Sequence, residues 1–520
     1  MAGLIALAAV VYGSHVADGG LYWDDWENAA TTEHHPATDF LGPIDLNVLL
    51  YRPLLALALP LPHLLFGGSA AAQLALALAL CALTSACLYL FLRTLGLGRL
   101  HAAPIAALAL LFPWSDATRL WATGAVNNLA VSLYLLGAVA ALHGLDAEGA
   151  RRVRLHAASL TAFVAAILLY EIAAAAALFS VLLYVARAGW RPALRWWRLD
   201  AAVIGATVVY TALTTTRETQ SPGGIMDHAV AIAEGAVTLL GRSLAPFGPE
   251  AAPVAVAVAV AVAAAAVAAL RLAPRPGALH GELRRWLAAA AIGLGAIVVG
   301  YALFVPGKAS YTPLAGGTGN RVNLLAGLGF VTLTFALGML AATLAFARMR
   351  RRATWATASA LAFSVLIGAF YVGEITAHKA EWREAAALQE RVLEAIHAAD
   401  PPPNATVYTY GHPRYAAPGV PVFAVSWDLN SAVKARFDRN LSAYPLAFSR
   451  VPVCRERSTT PRPSFNGRRA APSYGQVFLV DVRRGELEAL PNRARCEAVA
   501  ARLSATRRRS AAPAASASQG

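Results

Sequence analysis

The sequence is short of charge. Only 14% of its 520 residues are Asp, Glu, Lys or Arg, where soluble domains carry roughly 25%. So few ions cannot dress a water-facing surface around a chain this long, which excludes an ordinary soluble protein. Cysteine is also scarce, with four in all, and no two have the spacing of a zinc site. The glycine-rich stretch "GGTGNR" lacks the Lys-Ser/Thr ending of a P-loop, which excludes that route to ATP. No internal period stands out, which excludes a solenoid. The opening run "MAGLIALAAVVYGSHVA" has no basic start and no clear small-residue cleavage site. It reads as a first span rather than a signal peptide.

What is present is apolar. Hydrophobic residues make up 57% of the chain. Runs such as "AAAQLALALALCALTSACLYLFL" are long enough to cross a bilayer, at about 20 residues per span. The pattern is that of a polytopic α-helical membrane protein. The net charge of +14 does not indicate nucleic acid, because the arginines sit in short clusters between apolar runs, which is the positive-inside arrangement. Spans are expected near 1–17, 70–92, 102–113, 124–143, 156–169, 171–187, 200–216, 251–271, 287–305, 322–347 and 354–373, about 11 transmembrane helices. Clusters at Arg93/Arg99, Arg151–Arg154, Arg187–Arg198, Arg271–Arg285 and Arg348–Arg352 follow every second span. These loops are expected to be cytoplasmic, in the plasma membrane of the cell, with the C-terminus outside. Basic clusters flank 156–187 on both sides, so that stretch must cross twice, with Glu171 at its turn.

Residues 1–373 form the expected membrane domain. Residues 374–505 are expected to be a small extracytoplasmic α/β domain. A helix starts near His378, with Trp382, Leu388, Val392, Leu393 and Ile396 at roughly helical spacing. Strands follow at "ATVYTYG", "VPVFAVS" and "GQVFLVDV", with a helix at "LNSAVKARF". Residues 506–520, "RRRSAAPAASASQG" at their core, are expected to be a disordered tail. Cys81 and Cys87 lie in an apolar run as inert packing. Cys454 and Cys496 share the outer domain and are expected to form a disulfide.

The loop at about 18–47 holds seven acids and no Lys or Arg. Asp24, Asp25, Glu27 and Glu33 stand beside His34 and His35, framed by Tyr22, Trp23 and Trp26. Crowded carboxylates make a general base or hold a divalent cation; the bland reading is a solvated acidic loop. His34, His35 and His228 with Asp227 are weaker metal candidates than exposed loop histidines. The aromatic residues suit a membrane interface or a sugar face. "NVLLYRPLLALALPLPHLLFG", broken by prolines and holding Arg52, suits an interfacial helix better than a span.

A first outer loop with adjacent acids, followed by "YRPL" and an amphipathic stretch, resembles the GT-C superfamily of membrane glycosyltransferases, most of all the protein O-mannosyltransferase type. The resemblance covers residues 1–373 in layout, and its motif lies at about 20–66. It implies a polyprenyl-phosphate sugar donor, transfer at the extracytoplasmic face, and membrane lipid and an acceptor glycan or protein as partners. On this resemblance Asp24 or Asp25 is the catalytic carboxylate. Where the mannosyltransferases commonly have Asp-Glu, this chain has Asp-Asp. The resemblance fixes no cofactor and leaves room for a divalent cation. Cations on the outer side would meet the leaving phosphate: Arg52, Arg217 and Arg321 are the candidates, with Arg119 and Lys308 behind them. Trp23, Trp26 and Glu171 are candidate substrate-binding residues. The competing readings are a transporter or flippase, which should show repeats and broken midplane helices, and a non-catalytic cell-envelope assembly protein on the same fold.

Overall fold

The computed structural model describes residues 1–33, 42–214, 222–245, 251–272, 278–307, 311–437, 440–446, 451–460 and 472–511. In chain order the helices are α1 (Ala2–Asp18), α2 (Asp24–Glu33), α3 (Leu46–Tyr51), α4 (Pro53–Ala58), α5 (Pro60–Phe66), α6 (Ala70–Thr94) and α7 (Arg99–Leu110). Then follow α8 (Ala117–Leu120), α9 (Val126–Leu145), α10 (Gly149–Leu169), α11 (Ala174–Leu178), α12 (Val181–Ala188), α13 (Trp190–Thr214) and α14 (Pro222–Leu244). The last are α15 (Ala252–Leu272), α16 (Ala278–Ala302), α17 (Leu324–Ala345), α18 (Arg352–Ala398), α19 (Ser426–Arg436) and α20 (Arg493–Ala511). The chain is a polytopic α-helical protein with a small sheet near its C-terminus. It forms two compact units: 1–17, 44–59 and 72–379 in the first; 18–43, 60–71 and 380–520 in the second.

The first unit is all helix. Ala and Leu dominate its longest elements because they lose least in forming a helix. Among the described residues, nine helices are long and apolar enough to cross a membrane. The stretch 156–187, expected to cross twice, holds two such segments: Gly149–Leu169 and Glu171–Ala188 meet at an extended Tyr170. The expected spans at 1–17 and 102–113 are the shorter helices α1 and α7. The one at 200–216 is α13, whose first half carries Arg191, Arg195, Arg198 and Asp200. Packing between spans uses small residues to bring backbones close. A β-carbon added at Gly329 would stand 2.5 Å from the Gly293 carbonyl, so α16 and α17 touch along their backbones there.

One element departs from expectation. The stretch read as a long outer loop after Arg217 contains α14, 23 residues long. Composition alone would let it cross a membrane. Its contacts say otherwise. His228 Nδ1 lies 3.2 Å from the Val305 carbonyl, just past the end of α16. Gly235 packs on Pro313, in the loop joining α16 to α17. The Ser243 carbonyl accepts a bond from Tyr371 Oη at 3.0 Å, and Tyr371 packs on Trp114 of the loop after α7. At these three points, near its start, middle and end, α14 meets one end of the bundle. These contacts make it an end-on helix. The arginine clusters collect at the other end, where Arg352 pairs with Glu282 (3.3 Å) and His101 packs on Trp286.

The second unit holds a four-stranded sheet in the order β4-β1-β7-β8, where β1 is Thr406–Tyr410, β4 Ser442–Pro445, β7 Val477–Asp481 and β8 Glu486–Ala489. Strand β1 pairs in parallel with β4 and β7, and β8 closes one edge antiparallel to β7. Two short hairpins accompany it: β2 (Tyr415–Ala417) with β3 (Val420–Pro421), and β5 (Val453–Cys454) with β6 (Thr459–Thr460). The expected strand "VPVFAVS" is thus only the two residues of β3, after which the chain turns into α19. Tyr408, Leu446, Val477, Leu479, Leu490 and Val499 form the core. A disulfide joins Cys454 to Cys496, whose Cα atoms are 5.9 Å apart. Helix α20 runs on to Ala511, past Arg507, where a structureless tail was expected; its Ala- and Arg-rich sequence favours helix. Residues 512–520 lie outside the described residues.

Candidate functional site

In the first unit the site begins at two chain breaks. Asp45 caps α3 by accepting the amide of Asn47 at 2.7 Å. Pro53 then opens α4, and the residue before a proline is pushed out of the helical region. Arg52 therefore sits between two short helices at φ −138° and ψ 69°. The second break is Tyr170, extended between α10 and the turn that starts at Glu171. The two breaks meet. Arg52 donates from Nε to Glu171 Oε2 and from Nη2 to Glu171 Oε1, both at 2.7 Å. The guanidinium lies over the Tyr170 ring, 4.3 Å from its centre. Burial works against the Arg52 charge, but Glu171 outweighs it and holds the guanidinium protonated.

Arg321 comes to the same place from another direction. It lies over the rings of Trp121 (5.4 Å) and Tyr311 (5.7 Å). Burial raises the pKa of Tyr311, Tyr170 adds to this, and Arg321 and Arg52 both pull it back down. Tyr311 is therefore in the field of both arginines; of the residues picked out in sequence, Arg52 and Glu171 meet directly and Arg321 stands on its own aromatic pair. Arg217 lies outside the described residues, as do Lys308, His34 and His35.

The loop holding Arg321 is fixed by groups that the sequence did not mark. Asn320 Nδ2 donates to Asp116 Oδ1 at 2.8 Å, and the Asn320 Oδ1 accepts the amide of Ala117 at 3.0 Å. Asn323 donates to the carbonyls of Trp114 (2.6 Å) and Leu314 (2.7 Å). Asp116 is buried, and its Oδ2 accepts from His378 Nδ1 at 2.6 Å. "WSDATR" and "HK" gave no local sign of this, because the partners are far apart in sequence.

In the second unit the acidic loop is a helix. Asp24, Asp25 and Glu27 fall in the first turn of α2, where the helix dipole favours negative charge. The two aspartates differ. Asp25 is fully buried, and its Oδ2 accepts the Tyr22 amide at 3.0 Å. Asp24 is half-buried. Trp26 is also buried, with Nε1 donating to Gln389 Oε1 at 3.4 Å, while Trp23 is half-buried. Tyr22 donates to the Trp382 carbonyl at 2.9 Å. On α19, Asp428 accepts amides of Ala424 (2.7 Å), Leu429 (2.7 Å) and Val425 (3.2 Å). Burial pushes Asp428 up to about 7 against those bonds, and the charge of Asp24 adds to the rise. A cavity of about 430 Å³ lies in this unit, lined by Leu21, Trp26, Thr32, His63 and Gln389 among others; Asp24 and Asp25 are not in its lining. Among the described residues no three His, Cys, Asp or Glu side chains are grouped to hold a metal.

No family model and no curated protein matches the chain. Solved structures do. ArnT from Cupriavidus metallidurans bound to undecaprenyl phosphate is 14% identical, with a TM-score of 0.44 over 85% of this chain and 85% of that one. The apo state of the same ArnT gives 14%, 0.38, and 83% of each chain. The Archaeoglobus fulgidus oligosaccharyltransferase in complex with Zn and sulfate gives 13% and 0.43, over 85% of this chain and 62% of that one.

Proposed function

We propose that the protein is a membrane glycosyltransferase that moves a sugar from a polyprenyl-phosphate donor to an acceptor at the extracytoplasmic face. The observation that carries this reading is a pair of arginines on aromatic faces in loops of a helical bundle, Arg52 over Tyr170 and Arg321 over Trp121 and Tyr311. Forked cations on aromatic faces suit a phosphate held beside a bilayer. Two features support that side of the membrane. The first loop and the C-terminal residues share one compact unit, so they lie on one side. The arginine clusters favour the cytoplasm at the end of the bundle that they share.

The chemistry balances without a cofactor. On the resemblance read from the sequence, Asp24 takes the proton of an acceptor hydroxyl, and that oxygen bonds to the anomeric carbon of the donor sugar. The bond from that carbon to the phosphate oxygen breaks, and its electron pair stays on the phosphate. Arg52 and Arg321 stabilise the charge that develops there. Asp25, tied to the Tyr22 amide, fixes the first turn of α2 and so orients Asp24.

The test is transfer by the purified full-length protein, supplied with a panel of labelled polyprenyl-phosphate sugars. Asp24→Asn should fold normally and lose about two orders of magnitude or more in rate. Asp25→Asn should lose stability, about 1–3 kcal/mol for an unsatisfied buried group. Transfer by Asp24→Asn at the wild-type rate would remove Asp24 from the mechanism.

A further inference from the structure

We infer that Glu171 is an internal stand-in for the donor phosphate, a carboxylate that holds the Arg52 fork until a phosphate displaces it and takes it back after transfer. This rests on the reading of Arg52 as a phosphate-binding residue and adds how that residue is loaded and emptied.

The geometry is that of a phosphate contact. An arginine fork presents two parallel N–H groups, and a carboxylate or a phosphate fills them with two oxygens in the same way. Glu171 does this at 2.7 Å on both arms. The pair is neither sealed nor open: the side chains are 19% and 17% exposed. Water and a lipid headgroup can reach it, and a rotation about the side-chain bonds of Glu171 is enough to free the fork. Glu171 is well placed for that rotation. It is the first residue of a short turn after the extended Tyr170, outside α10. The Tyr170 ring stays under the guanidinium through its own backbone position, so Arg52 keeps its platform when the carboxylate leaves.

The charges give the device a direction. In the donor the phosphate is a diester carrying one negative charge. After transfer it is a monoester with more charge, and it grips two arginines harder than the donor did. A product held that way leaves slowly. A carboxylate on the same fork competes with it, which weakens the apparent binding of donor and product alike. Competition by an internal group lowers apparent affinity by the fraction of sites it holds. Glu171 therefore trades donor affinity for product release.

The probe is undecaprenyl phosphate, bound to the full-length protein in nanodiscs. Removing the carboxylate charge in Glu171→Gln should tighten binding about tenfold and lower kcat with it, while KM for the donor falls. Glu171→Asp, too short to fill both arms, should move binding in the same direction by less. Arg52→Gln should weaken binding, and Arg52→Lys, which keeps the charge and loses the fork, should lie between. Unchanged or weaker binding in both Glu171 variants would overturn the proposal and leave Glu171 as a brace for Arg52. A separate result tests the parent reading: if Arg52→Gln and Arg321→Gln both bind the phosphate as the wild type does, the arginines are not its site.

Discussion

Arg52 and Arg119 look alike in the sequence: each is a single arginine between apolar runs of the first unit, within two residues of an aromatic side chain. The structure gives them opposite employment. Arg119 is 3% exposed. Its Nη1 donates to the Phe112 carbonyl (2.8 Å), its Nη2 to the Ala109 carbonyl (2.9 Å) and its Nε to Cys81 Sγ (2.9 Å). The Tyr12 ring covers it at 5.8 Å. These partners cannot leave, because two of them are backbone and the others are packed. Arg52 faces a single side-chain carboxylate that water can reach. Charge in a loop therefore marks a ligand site only when its partner can be exchanged; otherwise it closes the chain ends that a membrane would leave unsatisfied.

The comparison breaks most easily at Arg119. Arg119→Gln leaves the Ala109 and Phe112 carbonyls short of donors and removes the cation near Asp116 from a buried site. A loss of about 3–5 kcal/mol is expected, read as a fall in the thermal midpoint and in the yield of monodisperse protein. Arg52→Gln should keep the fold and lose phosphate binding. If Arg119→Gln proved as stable as wild type, the distinction between a structural and an exchangeable arginine would fail.

How far the sequence could be read follows the same line. Features set by local cost were legible. Arginines avoid the apolar layer, so their clusters marked the bundle end they share. "YRP" forces a break, and Glu171 in an apolar run had to lie at a turn. Features made by distant partners were not. Asp116 meets Asn320 and His378 across 204 and 262 residues, and Arg52 meets Glu171 across 119, separations that leave no periodicity to find. Asp24 and Asp25 stood out as a pair, but only the fold shows that one carboxylate is spent on the Tyr22 amide. Helix α14 shows the limit of composition: its apolar content permits a crossing, and its neighbours at one bundle end decide against it. Helix α13 errs the other way, because charges in its first half hide the apolar run behind them.

A middle case sharpens the comparison. Asn320 joins the two kinds of site, since it holds Asp116 and stands next to Arg321. Asn320→Ala leaves the Ala117 amide and one Asp116 oxygen without their partner, about 1–3 kcal/mol for a buried group left unsatisfied. Its effect on donor binding should exceed that of an equally destabilising change elsewhere, because Arg321 loses its fixed loop. Measuring thermal midpoint and phosphate affinity together separates the two. A variant that lost stability with no change in affinity would show that Arg321 is positioned without this network.

The smallest effect is expected at a third arginine, Arg187, at the arginine-rich end. It pairs with Asp146 at 2.6 Å, closer than Arg52 pairs with Glu171, yet both side chains are almost half exposed, at 45% and 47%. Exposed pairs of this kind contribute about 0–1 kcal/mol, so Arg187→Gln should leave folding and transfer near the wild-type level. Its trace should appear only in acid. The bond from Arg187 lowers the Asp146 pKa from its ordinary value of 3.8. An acid whose folded pKa is depressed lends stability above its unfolded pKa and loses it as pH falls through the folded one. The small advantage of wild type over Arg187→Gln should therefore be flat from neutral pH down to about 4 and disappear below 3.8. High salt should shrink it at every pH. Thermal midpoints of the two proteins across that range supply the measurement. A difference at neutral pH as large as that for Arg119→Gln would mean that short distance, rather than burial and the fixity of partners, decides what an arginine is worth in this fold.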